Sequence, residues 1–367
     1  MHFVNWTNQL AMHQSALMRG MVELGWQVTM VVAEDVSPYR RSIGWYVPDF
    51  SGVNVVIAPD KKTIARVLTE NPENTVHTFG AAIGYSWGRY ALWKAARMNC
   101  RLGLMMEAAD PDGWKAPLRW IKYSGMRLLL GRHIHFVLGM GNLGVQWFRK
   151  CGYPEDRVFS FGYFIEQSEN IPLSQGISHA FQILFVGQLI TRKRVDILIR
   201  SFAHVASDVV HLSIVGDGPE RKRLQGLAEQ LGIAENITWH GSLPNQKTRM
   251  LIAEADLLVL PSRYDGWGAV INEALMAGTP VICTDHCGAA DLLHESWRGE
   301  VVPRNDPEAL AAALRRRVEQ GRVTPSLRSR LRTWSDCITG KSAAAYLIAI
   351  INHVYNGDPR PLPPWER

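Results

Sequence analysis

Residues 257–278 read LLVLPSRYDGWGAVINEALMAG, and they hold the side chains whose types and spacing most suggest chemistry. A buried apolar run, 257–260, enters Pro261-Ser262. A loop then carries Asp265-Gly266-Trp267-Gly268, and a helix follows with Glu273 in its first turns. Gly266 and Gly268 let a ligand approach the backbone closely. The helix N-terminus, around Ala269, offers unpaired N–H groups to an anion. Asp265 and Glu273 are eight residues apart, and a loop-then-helix path can bring both carboxylates to one side of one pocket. Each carboxylate oxygen accepts a strong hydrogen bond, which suits the paired hydroxyls of a sugar. The plain alternative is two unrelated solvated acids.

Such residues need a frame. Short apolar runs alternate with helical patterns along most of the chain, beginning with a strand at 3–6, a helix at 12–24 and a strand at 28–32. This βαβ rhythm predicts an α/β fold with mostly parallel sheets. It runs to about residue 165, pauses, and restarts near 180. The expected organisation is an N-terminal doubly wound domain (1–165), a linker (166–179) and a second doubly wound domain (180–330). A helical segment (331–356) and a proline-rich tail (357–367), expected to be extended or disordered, complete the chain. Two such domains in tandem place a cleft between their sheets, with ligands beyond the carboxyl ends of the strands.

The chain has 367 residues, 47% hydrophobic and 20% charged, which excludes a disordered class and predicts two domains. Five cysteines, without a CxxC, argue against a disulfide framework and a structural zinc site. No secretory leader is visible, and the longest apolar helical stretch, 343–351, falls short of a membrane span. The expected location is cytoplasmic, soluble or peripheral on a membrane.

The formal charge is +6, and it is concentrated. Residues 113–154 hold seven Lys or Arg (Lys115, Arg119, Lys122, Arg127, Arg132, Arg149 and Lys150) and no acid, interleaved with Trp114, Leu118, Trp120 and Ile121. That mixture suits an anionic membrane surface, or else a solvated helix face. No nucleic-acid reader motif accompanies it, so nucleic acid is not an expected partner.

Three further patterns point elsewhere. Asp110-Pro111-Asp112 has a metal-chelating DxD form, but also makes an ordinary turn; no metal is expected. Gly139-Met140-Gly141-Asn142-Leu143-Gly144 fits GxGxxG after an apolar strand, with Glu166 about 20 residues on, and would suit an NAD-dependent oxidoreductase. Otherwise its glycines serve strand–helix packing. His77 ends a strand pattern and reads as a structural histidine.

Residues 181–310 densely match one family in order and spacing. The matching segments are Phe185-Val186-Gly187-Gln188-Leu189 with Lys193, Val215-Gly216-Asp217-Gly218-Pro219, and Gly241-Ser242-Leu243. Pro261-Ser262, Asp265, Gly266-Trp267-Gly268, Glu273-Ala274 and Ala277-Gly278-Thr279-Pro280-Val281 follow. The sequence resembles the retaining GT-B glycosyltransferases, specifically family 4 (glycosyl transferases group 1). It departs at Asp265, where Glu is usual, at Trp267, where Phe is usual, and at Gln188, where Arg is usual. The first 165 residues match more loosely, with Thr7-Asn8-Gln9 in place of a glycine-rich loop.

The resemblance implies a GT-B fold of two Rossmann-like domains and a metal-independent, retaining hexosyltransferase. A nucleotide-diphosphate sugar would be the donor and no other cofactor would be needed. Lys193 and Arg192 would neutralise the diphosphate, with Arg194 a further candidate. Glu273 would hold the ribose and Asp265 the donor sugar, with Gly187, Gln188, Gly216, Gly266, Trp267, Gly268 and Ala269 around them. Glu107, or Asp110, takes the place where the family often has a His. The basic segment, with Trp114, Lys115, Arg119, Trp120, Lys122 and Arg127, would meet a lipid-linked glycan acceptor at the inner face of a bacterial cytoplasmic membrane. A GT-B protein that has lost catalysis is the remaining alternative.

Overall fold

The computed structural model describes residues 1–37, 47–166 and 180–366. The chain forms two compact units, Met1–Glu166 with Cys337–Arg367, and Gln167–Asp336.

The first unit is built on seven parallel strands: β1 (His2–Trp6), β2 (Gln27–Val32), β3 (Asn54–Ile57), β4 (Thr75–Phe79), β5 (Arg101–Met106), β6 (Phe136–Met140) and β7 (Val158–Phe161). Their order is β3-β2-β1-β4-β5-β6-β7. Helices α1 (Met12–Glu23), α2 (Lys61–Thr69), α3 (Ser86–Arg97), α4 (Ala116–Leu130) and α5 (Gly141–Lys150) connect them. A parallel sheet covered on both faces needs apolar side chains on both. Phe3, Val4 and Trp6 of β1 and Phe136, Val137 and Leu138 of β6 are accordingly buried.

The second unit repeats the plan. It runs through β8 (Phe181–Val186), α6 (Val195–Phe202), β9 (Val210–Val215), α7 (Arg221–Gln230), β10 (Ile237–Gly241), α8 (Asn245–Glu254) and β11 (Leu257–Leu260). It continues with α9 (Val270–Ala277), β12 (Val281–Thr284), β13 (Gly299–Val302), α10 (Pro307–Glu319) and α11 (Pro325–Trp334). The strand order is β10-β9-β8-β11-β12-β13, all parallel. Local chemistry sets the helix ends. Asp306 caps α10 by accepting from the N–H groups of Glu308 and Ala309, and Gly278 closes α9 at φ 85°. Asp256, fully buried ahead of β11, takes Arg322 at 3.1 Å and Arg328 at 3.7 Å, tying α11 to the sheet.

The C-terminus departs from expectation. The segment 331–356 divides, because α12 (Gly340–Asn356) belongs to the first unit. It packs on α1 at backbone contact: a Cβ on Gly340 would lie 2.1 Å from the Ala16 carbonyl oxygen. The proline-rich tail, expected to be extended or disordered, has no helix or strand over 357–363, but it packs on the first unit and ends in a 3₁₀ turn, Pro364–Glu366. Arg360 lies 4.1 Å over the Phe159 ring and donates to the Asp156 carbonyl at 2.8 Å. Trp365 is buried beside Phe164. These side chains find partners at β7, which a composition reading of the prolines does not anticipate. Of the expected linker, Glu166 pairs with Arg19 at 2.8 Å, while 167–179 lies outside the described residues.

Candidate active site

In the second unit, β8 and β11 are neighbours at the point where the strand order reverses. That reversal opens a crevice at the carboxyl ends of the strands. The loop after β8 carries Gly187 and a 3₁₀ turn, Thr191–Lys193. The loop after β11 carries Asp265. Lys193 Nζ donates to Asp265 Oδ2 at 2.5 Å, and Arg192 lies 3.9 Å from the same oxygen. Arg192 also donates to the Tyr264 carbonyl at 2.5 Å, while its own carbonyl accepts from the Arg263 N–H at 2.9 Å. Two cations and one carboxylate thus meet across two stitched loops.

Arg194 is turned elsewhere. It takes Asp196 in a two-pronged grip at 3.0 and 3.1 Å and also donates to Asn305. Gln188 is exposed, on the turn beside Gly187. Gly187 and Gly216 are pressed together: a Cβ on Gly216, at φ 133°, would sit 1.9 Å from the Gly187 oxygen.

The 265–269 loop is zipped to the loop after β12. The Asp265 N–H donates to the His286 carbonyl at 2.8 Å, and its carbonyl accepts from Gly288 at 3.1 Å. The Trp267 ring is buried, and its Nε1–H donates to Asn272 Oδ1 at 2.7 Å. The ring thus packs inside the second unit and fixes the loop to the first turn of α9. Gly266 lies against Gly288, and Gly268 holds φ 94°. Ala269 stands at the N-cap of α9, where no side chain caps the helix, and Glu273 lies in the first turn. Burial pushes the Glu273 carboxyl above the usual carboxylate range, against the opposing pull of Arg249.

The first unit has a cavity of about 380 Å³ at the carboxyl ends of its strands. Its polar lining includes Thr7, Gln14, His13, Glu107 and Tyr163, beside Met105 and Met140. Tyr163 OH donates to Glu107 Oε1, and the Tyr163 ring stacks on His13 at 3.7 Å between centroids, 5° from parallel. Sequence reasoning found Glu107 but missed Tyr163 and His13, which belong to no motif. Their only signal is place, just after β7 and near the start of α1.

The competing patterns have local explanations. Gly139 and Gly144 face each other, and a Cβ on Gly144 would lie 2.5 Å from the Gly139 carbonyl carbon. Those glycines serve the contact of β6 with α5. Asp110 accepts from the Asp112 N–H at 3.0 Å, an ordinary turn. His77 is buried, accepting from Trp6 Nε1–H at 3.2 Å.

The basic segment is partly spoken for. Arg119 donates to the carbonyls of Asp110 (2.7 Å) and Asp112 (3.1 Å), Arg127 to that of Gly152 (3.1 Å), and Trp120 to that of Lys150 (3.2 Å). Trp114, Lys115 and Lys122 are exposed.

Residues 168–333, the body of the second unit, match the family model described as glycosyl transferases group 1. Over those residues the second unit resembles that family. An uncharacterized glycosyltransferase of Methanocaldococcus jannaschii is 30% identical over 171 residues, 43% of this chain and 44% of that protein. The lipopolysaccharide core biosynthesis glycosyltransferase LpsE of Rhizobium meliloti is 32% identical over 149 residues, 41% of this chain and 42% of that one. The chain thus spans less than half the length of these relatives. Over the whole chain, HepE of Anabaena, solved in complex with UDP, superposes with a TM-score of 0.72. It covers 96% of this chain and 100% of its own at 16% identity, a likeness of fold. Two parallel Rossmann-like sheets with this likeness make the fold GT-B.

Proposed function

We propose that this protein is a group 1, retaining, metal-independent hexosyltransferase. It moves a sugar from a UDP- or GDP-linked donor to a hydroxyl of a lipid-linked glycan. The setting is bacterial cell-surface polysaccharide synthesis at the inner face of the cytoplasmic membrane. The observation that carries this reading is the Lys193–Asp265 pair at 2.5 Å, flanked by Arg192 and by the uncapped end of α9 with Glu273.

Breaking the bond between the sugar C1 and the diphosphate oxygen sends the electron pair to that oxygen and leaves positive charge on the ring. Lys193, Arg192 and the α9 N-terminus stabilise the departing diphosphate. Asp265 orients a donor-sugar hydroxyl, and Glu273 accepts from the ribose hydroxyls. Glu107, braced by Tyr163, receives the acceptor hydroxyl in the first unit. The acceptor oxygen bonds to C1 on the face the diphosphate leaves, and its proton passes to the diphosphate oxygen.

The test is incubation with a panel of UDP- and GDP-sugars, reading nucleotide release and the anomeric configuration of the product. One donor should be turned over with retention. Lys193→Ala should lower kcat by about 10²–10³, the usual cost of removing one such donor group. Inversion, or turnover indifferent to Lys193→Ala, would refute the assignment.

A further inference from the structure

Helix α4 has two apolar faces. Tyr123, Met126 and Leu130 pack against the core of the first unit. On the opposite side Leu118, Ile121, Leu128 and Leu129 fall in one stripe, because offsets of three, ten and eleven residues return to the same side of a 3.6-residue helix. Leu128 and Leu129 are 83% and 79% exposed, and no residue of α4 is buried. Gly125 continues the stripe, with nothing within 4 Å of where its Cβ would stand. Just before the helix, Trp114 is 80% exposed, with the Lys115 ammonium 4.9 Å from its ring centre.

The charges divide by role. Arg119 and Arg127 donate to backbone carbonyls of their own unit and fasten the helix down. Lys115 and Lys122 flank the outward stripe and are exposed. Residues 113–154 contain no carboxylate. An apolar stripe edged by lysines, with no acid nearby, complements an apolar layer beneath anionic phosphates.

We propose that the outward stripe of α4 is a membrane-docking face lying in the plane of an anionic bilayer. Leu118, Ile121, Leu128 and Leu129 enter the acyl boundary, and Lys115 and Lys122 sit at the lipid phosphates. Trp114 anchors the leading end at the headgroups. The inference deepens the reading that the acceptor is lipid-linked, yet it is measurable without donor or acceptor.

The experiment is sedimentation of the full chain with vesicles of equal parts phosphatidylglycerol and phosphatidylcholine, and with phosphatidylcholine alone. The protein should bind the anionic vesicles. The Leu128→Ser/Leu129→Ser double variant should partition about tenfold more weakly or worse. Lys115→Gln/Lys122→Gln should also weaken binding and flatten its salt dependence. The leucine variant should keep its melting temperature and its nucleotide release, since neither side chain touches the donor site. Absence of wild-type binding, or equal binding by the leucine variant, would overturn the proposal. So would a concentration-dependent dimer that the leucine variant abolishes, which would make a second copy the occupant. Vesicle binding without donor turnover would instead count against the proposed reaction alone.

Discussion

Glu273 is where stability and binding pull apart. Its carboxyl is raised above the usual range by burial, so folding penalises the ionised form relative to the unfolded chain. Its contribution to stability is present below the ordinary carboxylate range and lost as pH rises through its raised value. Glu273→Gln should therefore melt higher than the wild type at neutral pH, with the difference closing in acid. The same variant should bind the donor nucleotide about tenfold more weakly or worse, the loss of a charge-assisted hydrogen bond. Thermal melts across pH, paired with nucleotide titrations, check both. The positions of Asp265 and Glu273 on loop and helix were legible from an eight-residue spacing. The side of Trp267 was not, because its burial is decided by Asn272, which receives the indole N–H. Tyr163 and His13 were not legible either: they meet only after β7 and α1 are folded side by side.

Strands and the turns at their ends set the next scale. β4 buries His77, and desolvation, aided by His2, pushes its ring from 6.5 down to about 3. The unfolded chain binds the extra proton first, so this stability is full above pH 6.5 and declines as pH falls toward 3. Urea unfolding followed through the first unit should show a shallower acid loss in His77→Gln, which keeps an acceptor for Trp6. At the end of β9, Gly216→Ala forces a Cβ to 1.9 Å from the Gly187 oxygen at a φ of 133°. It should cost roughly 2–4 kcal/mol in denaturant midpoints and weaken donor binding with it. The strands were readable because parallel sheets demand unbroken apolar runs. Phe181–Val186, Leu257–Leu260 and Val281–Thr284 fall where the pattern puts them. Helix ends are less sharply written: the helix expected over 12–24 ends at Glu23.

For the whole molecule, sequence order and unit order differ, since α12 and the tail return to the first unit. Periodicity announces a helix but not which sheet it covers. Here the choice is made by the glycine contact with α1 and by Tyr346, which donates to the Ser160 carbonyl at 2.9 Å. Trp365→Ala should destabilise the first unit by about 3 kcal/mol, read as a lower melting temperature; an unstructured tail would give no change. In the proposed reaction the second unit holds a nucleoside diphosphate between Lys193 and Glu273. The most direct measurement is calorimetric titration of the full chain with UDP, GDP and NAD. One diphosphate should bind at one site, weakened by both Lys193→Ala and Glu273→Gln, while NAD gives no heat. Binding of NAD alone, or diphosphate binding untouched by both substitutions, would contradict the account.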